Sequence, residues 1–169
     1  MFGKKDQVIK IENAPQPSFG ALWPVVSSDE HNLYCAFYLQ NTPKDWDGTT
    51  VKLMEFDSDG ETIAIVKFPE FHVFQFGPPN DETFNGHPLY KNGLRPYGVF
   101  KIKKSSWIEY FEKMNSVHPY HRKKRFRQYK HFIFSFHDRT LEVIAESYEI
   151  ETIKGSIKKA ISIIQDKLK

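Results

Sequence analysis

His131-Phe132-Ile133-Phe134-Ser135-Phe136-His137, then Asp138-Arg139, then Thr140-Leu141-Glu142-Val143-Ile144-Ala145-Glu146, is the stretch that decides the fold. Side chains of a strand alternate between the two faces of its sheet, so Phe132, Phe134 and Phe136 share one face and His131, Ile133, Ser135 and His137 the other. The second segment alternates in step with the first. With Asp138-Arg139 as the turn, Phe136 faces Leu141, Phe134 faces Val143 and Phe132 faces Ala145, while Ser135 faces Glu142, Ile133 faces Ile144 and His131 faces Glu146. Both segments then agree on which face is apolar, which predicts an antiparallel hairpin with one dry face and one carrying histidines and carboxylates.

Upstream, apolar runs or alternation at 19–26, 33–39, 51–56, 62–68, 71–76 and 97–102 are separated by Gly, Pro, Asn and Asp clusters and read as further strands. Residues 51–56 and 61–66 flank Asp57-Ser58-Asp59-Gly60, whose Asp and Gly suit a turn, and the two runs are expected to pair. A calcium loop at these acids lacks the later ligands of an EF-hand. Residues 77–93, rich in Gly, Pro and Asn, read as a long connection, either a binding loop or a crossing of the sheet. Downstream of residue 104, Ser106 with Glu109 makes a capping box, followed by a Trp107, Phe111, Met114 stripe expected in the core. A short helical turn is expected over 122–129. Ile153, Ile157, Ile161, Ile164 and Leu168 predict a C-terminal amphipathic helix docked on the sheet.

These elements predict an α+β fold: a mostly antiparallel β-sandwich or partly open barrel of about eight strands with two to three helices. A chain of 169 residues fits one globular domain over 1–169, and 40% hydrophobic with 27% charged residues excludes a disordered composition. Cys35 alone rules out an internal disulfide framework, and no apolar run is long enough for a bilayer span. With no apolar leader at the start, the expected setting is the cytoplasm, with no membrane partner.

Charge singles out one region. Residues 101–131 hold ten lysines and arginines against Glu109 and Glu112, a balance of +8 in a chain whose net charge is +3. Within it, His121-Arg122-Lys123-Lys124-Arg125-Phe126-Arg127-Gln128-Tyr129-Lys130 interleaves cations with aromatic rings, the residue types that contact phosphates and stack on bases. The alternative is that the two rings, three apart, turn to the core and leave the cations in water. His87 and His118 each precede a proline, which biases them to extended backbone and lets them project from loops. The expected ligand-binding set is therefore His87, His118, His121, Arg122, Lys124, Arg125, Arg127 and Tyr129, for a phosphate-bearing small molecule or a nucleic acid.

A second set suits acid/base chemistry: His137 or His131 as base, Glu142 or Glu146 as its orienting partner, in a hydrolase or lyase. A third reading is a protein-interaction domain. No metal or cofactor is expected. His131 and His137 lie roughly 20 Å apart along a strand, no His-Glu-x-x-His or Cys/His finger is present, and neither a Gly-x-Ser-x-Gly elbow nor a nucleotide-binding glycine motif occurs.

Overall fold

The computed structural model describes residues 5–41, 46–49 and 52–168. Among these residues nine strands and two α-helices form: β1 (Gln7–Lys10), β2 (Val25–Ser28), β3 (Asn32–Tyr38), β4 (Glu61–Pro69), β5 (Val73–Gly77), β6 (Gly98–Lys103), α1 (Ser106–Asn115), β7 (Lys130–Ser135), β8 (Thr140–Ala145), β9 (Glu149–Gly155) and α2 (Ile157–Lys167). They build two antiparallel sheets, one ordered β1-β6-β7-β8-β5 and the other β2-β3-β4-β9. The arrangement is the sandwich of an α+β fold, not a closed barrel.

Alternation explains the layers. Phe132 and Phe134 of β7 and Leu141, Val143 and Ala145 of β8 meet Leu33, Cys35 and Phe37 of β3 and Ala64, Val66 and Phe68 of β4 between the sheets. Their rings lock edge to face, Phe68 on Phe134 at 5.7 Å and Phe37 on Phe134 at 6.0 Å. The opposite face of the four-stranded sheet, Tyr34, Ala36, Tyr38, Ile63 and Ile65, is covered by Ile157, Ala160 and Ile164 of α2. Burial of each isoleucine stabilises by ~1.5–3 kcal/mol, and Ser156 caps the helix by accepting from the Lys159 N–H. The outer face of the five-stranded sheet, through Phe100, Ile102 and Ile133, packs under Phe84, Leu89 and Leu94. The long 77–93 connection is thus a cover over a sheet face, stiffened by two 3₁₀ turns, Phe84–Gly86 and Tyr90–Asn92.

Six expectations are corrected, two of them simply: Met114 of the expected core stripe stands 55% exposed on α1, and Ile153, expected in the C-terminal helix, lies in β9. The β7–β8 hairpin pairs Ser135 with Thr140, Phe134 with Leu141, Ile133 with Glu142 and His131 with Ile144, two residues out of the expected register. The reason is a longer turn: the Phe136 N–H donates to the Arg139 carbonyl, so 136–139 is loop. A slip of two preserves the faces but moves every partner. The expected pairing of 51–56 with 61–66 is absent. β4 pairs with β3 and β9, and Met54 makes an isolated bridge to Ala21, Val51 lying outside the described residues. β4 is Ile/Val-rich on both faces and so belongs in a sheet centre, whereas Leu53 stands 74% exposed. Of the 19–26 run, only Val25 and Val26 join a strand; Trp23, at φ 66° ahead of Pro24, breaks it. Finally, α1 is capped by Ser105, not Ser106, because Ser106 is held by Asp6.

Candidate functional site

Two groups of chemistry-bearing side chains emerge, one sealed and one open. The sealed group lies on the outer face of the five-stranded sheet. Glu142 on β8 accepts from His131 Nε2 on β7 through Oε2 at 3.0 Å and from His87 Nε2, in the cover segment, through Oε1 at 3.2 Å. The partners of each ring fix its tautomer. The Leu89 N–H donates to His87 Nδ1 at 3.1 Å, so the His87 proton resides on Nε2 and is donated to the carboxylate. His131 Nδ1 lies 3.0 Å from Ser105 Oγ, which itself accepts from the Ile108 N–H at the start of α1. Because the Glu142 carboxylate can only accept, His131 presents Nε2–H to it, and Nδ1 of the neutral ring then accepts from the Ser105 hydroxyl.

Burial opposes ionisation of Glu142, but the hydrogen bonds from His131 and His87 outweigh it and hold the carboxyl down at about 2. All of Glu142, His131 and His87 are buried, with Trp107 at 5.1 Å from the His131 ring and Phe84 stacked at 5.7 Å on His87. A second buried carboxylate works beside it: Asp6 accepts from the Ser106 N–H at 2.7 Å and the Ser106 hydroxyl at 2.6 Å, an anion at the positive end of α1. Together the two acids fasten α1 and the cover segment to the sheet.

The remaining acid/base candidates are dispersed. Glu146 is exposed and accepts from Gln128, so it does not face His131. His137 lies past the end of β7, half exposed, with Nδ1 3.0 Å from Asp138 Oδ1 and Nε2 3.9 Å from Asp81. Tyr97 donates to Asp81 at 2.5 Å. Ser135 serves the backbone, accepting from the Gly98 N–H and donating to the Arg95 carbonyl.

The open group is the basic segment. Lys123–Arg127 forms a 3₁₀ turn following α1. Phe126 and Tyr129 turn inward, with Phe126 at 5.4 Å and Tyr129 at 5.1 Å from the His72 ring, and Phe111 of α1 closes the set at 5.5 Å. Burial pulls the pKa of His72 down and pushes that of Tyr129 up. Tyr129 is thus a support for the segment, not a presented ring. His121 is similarly occupied, its Nε2 2.8 Å from Glu112 and its Nδ1 3.1 Å from Asn115. These inward contacts leave Arg122, Lys124, Arg125 and Arg127 exposed, and none of the four is in an ion pair among the described residues; Lys123 reaches Glu112 at 3.9 Å.

Of the eight expected ligand-binding residues, five are exposed, His118, Arg122, Lys124, Arg125 and Arg127, and the last three of these share the Lys123–Arg127 turn. The structure places His87 in the interior. Sequence reading missed Ser105 and Asp6, whose partners lie far along the chain, and Tyr120, which stands 80% exposed beside the cations. Among the described residues no group of three or more His, Cys, Asp or Glu is arranged to hold a metal. Comparison of the chain with family models, curated proteins and solved structures gives no match.

Proposed function

We propose that this chain is a binding domain for an anionic ligand, a phosphate-bearing molecule or nucleic acid, received at Arg122 and the 3₁₀ turn that follows it. One observation carries the reading. Arg122, Lys124, Arg125 and Arg127 are exposed and not ion-paired among the described residues, on backbone secured by Phe126 and Tyr129 packing inward. Like charges crowded on one turn repel each other and add nothing to the fold, whereas polyanion binding releases condensed counterions and turns the same crowding into affinity. The expected cytoplasmic setting belongs to this proposal; among the described residues no helix is long and apolar enough to cross a membrane.

A hydrolase or lyase built on His131 and Glu142 has less support. The pair is buried beneath α1 and the cover segment, and its ring nitrogens and carboxylate oxygens are engaged with Ser105 and His87. Such an arrangement serves attachment of elements and offers a substrate no approach.

The test is charge reversal. Replacing Arg122, Lys124 and Arg125 together by Glu is expected to abolish binding of a labelled polyanion at low salt and to flatten the dependence of affinity on salt. Unchanged binding and an unchanged salt slope in that variant would remove the proposal.

A further inference from the structure

We infer that the ligand of the basic segment is a single-stranded nucleic acid, one of whose bases stacks on Tyr120; this rests on the anionic-ligand reading above. The observation is a largely exposed ring on backbone held by its own hydrogen bonds. Tyr120 stands 80% exposed and Val117 89%. The surrounding backbone is nonetheless ordered by its own bonds. The Tyr120 N–H donates to His118 Nδ1 at 3.1 Å, the His121 N–H to the His118 carbonyl at 2.9 Å, and Pro119 fixes φ between the two rings. The His118 and Tyr120 rings meet at 5.9 Å. Tyr110, on the exposed side of α1, is also open to solvent.

Charge and geometry select among anions. A small phosphate requires a concave site with convergent donors, whereas here the cations lie open. A duplex keeps its base faces inside the stack and gains nothing from an exposed tyrosine. A lipid surface calls for continuous apolar area, and here Val117 is followed by His118 and preceded by Asn115 and Ser116, all exposed. A single strand needs what this surface has: a ring for the base and a cation for its phosphate. Arg122 is two residues beyond Tyr120, at most about 7 Å between Cα atoms, and both are exposed, a spacing that one strand can bridge with a base on the ring and a phosphate near the arginine. The stacking residue is therefore not one of the aromatics inside the basic run, since Phe126 and Tyr129 are spent on His72.

The experiment is fluorescence anisotropy of labelled oligo(dT) and oligo(U) of about twelve nucleotides, within the ~4–16 that such sites cover, titrated with the full chain across a salt series. A duplex of equal length and vesicles of phosphatidylserine and phosphatidylcholine run in parallel. Tyr120→Ala is expected to weaken single-strand binding about 5- to 150-fold, the equivalent of ~1–3 kcal/mol per stacked base, without changing the salt slope. Tyr120→Trp is expected to retain affinity. Arg125→Ala is expected to reduce the slope by about 0.7, one phosphate contact. Tyr120 is exposed, so its variants fold, and circular dichroism checks this. Single-strand binding that falls in Arg125→Ala but not in Tyr120→Ala overturns the stacking inference and leaves the basic segment as the anion site. Arginine-dependent binding of the duplex at equal affinity, or of vesicles alone, overturns it in the same way. No binding of any polyanion at low salt overturns both readings.

Discussion

Replacing Glu142 by leucine or by glutamine separates an attachment role from a dispensable polar ornament. In Glu142→Leu, the Nε2–H groups of His87 and His131 lose their acceptor while remaining buried. An orphaned buried donor costs ~1–3 kcal/mol, so the variant is expected to lose ~2–6 kcal/mol. Glu142→Gln is milder for a reason the tautomers dictate. His87 Nδ1 is engaged by the Leu89 N–H, so the carboxamide oxygen has to face His87. Its NH₂ then faces His131, whose proton moves to Nδ1 and is donated to Ser105. Ser105 thereby accepts twice and its own hydroxyl proton loses its acceptor, a single lost interaction of ~1–3 kcal/mol. Urea unfolding followed by circular dichroism reads these as midpoints; at a slope of ~2 kcal/mol per M the leucine variant falls by ~1–3 M. Acid titration adds a second readout. The carboxyl sits at about 2 in the folded chain against 4.5 ordinarily, a gap equivalent to ~3 kcal/mol. Because the folded value is the lower, the stabilisation is complete above about pH 4.5 and disappears as pH falls toward 2. The difference between the wild type and Glu142→Gln is expected to close across that interval. A leucine variant within ~1 kcal/mol of the wild type, or a glutamine difference that stays constant into acid, would refute the reasoning.

Two further outcomes are expected. Gly98→Ala places a Cβ 2.7 Å from the buried Phe100 ring, so overpacking is expected to cost ~1–3 kcal/mol; a thermal midpoint equal to that of the wild type would contradict the close approach. Cys35 is fully buried and burial raises its thiol pKa, so a disulfide reagent such as Ellman's is expected to leave it untouched in buffer and to modify it fully in urea; rapid native labelling would show the sheets part readily.

Much of the architecture was legible because it is written in alternation. Phe132 and Phe134 declare their face whatever they pair with, as do the isoleucines of α2, and both face assignments match the structure. Register was not legible, since a turn of two residues and one of four conserve the same alternation, and only the Phe136 to Arg139 hydrogen bond distinguishes them. β9 was missed because Ile153 stands four residues before Ile157 and so extends the helical spacing of Ile157 and Ile161 back into the strand. At the site, sequence placed His131 and Glu142 on one face but could not pair them with His87, 55 residues away from Glu142. The same local pattern gave His137 and Glu146 equal standing, and strand ends sent them apart.

The distribution of strands has a consequence for synthesis. The five-stranded sheet includes β1, from the start of the chain, yet is not complete until β8 exists; the four-stranded sheet awaits β9, and its outer face stays bare until α2 arrives. At ~5–20 residues per second, β3 and β4, with Phe37 and Phe68, wait several seconds for β7 and β8 to be made and cover them. Neither sheet can close its shared core until the strands from β6 onward have joined those made earlier.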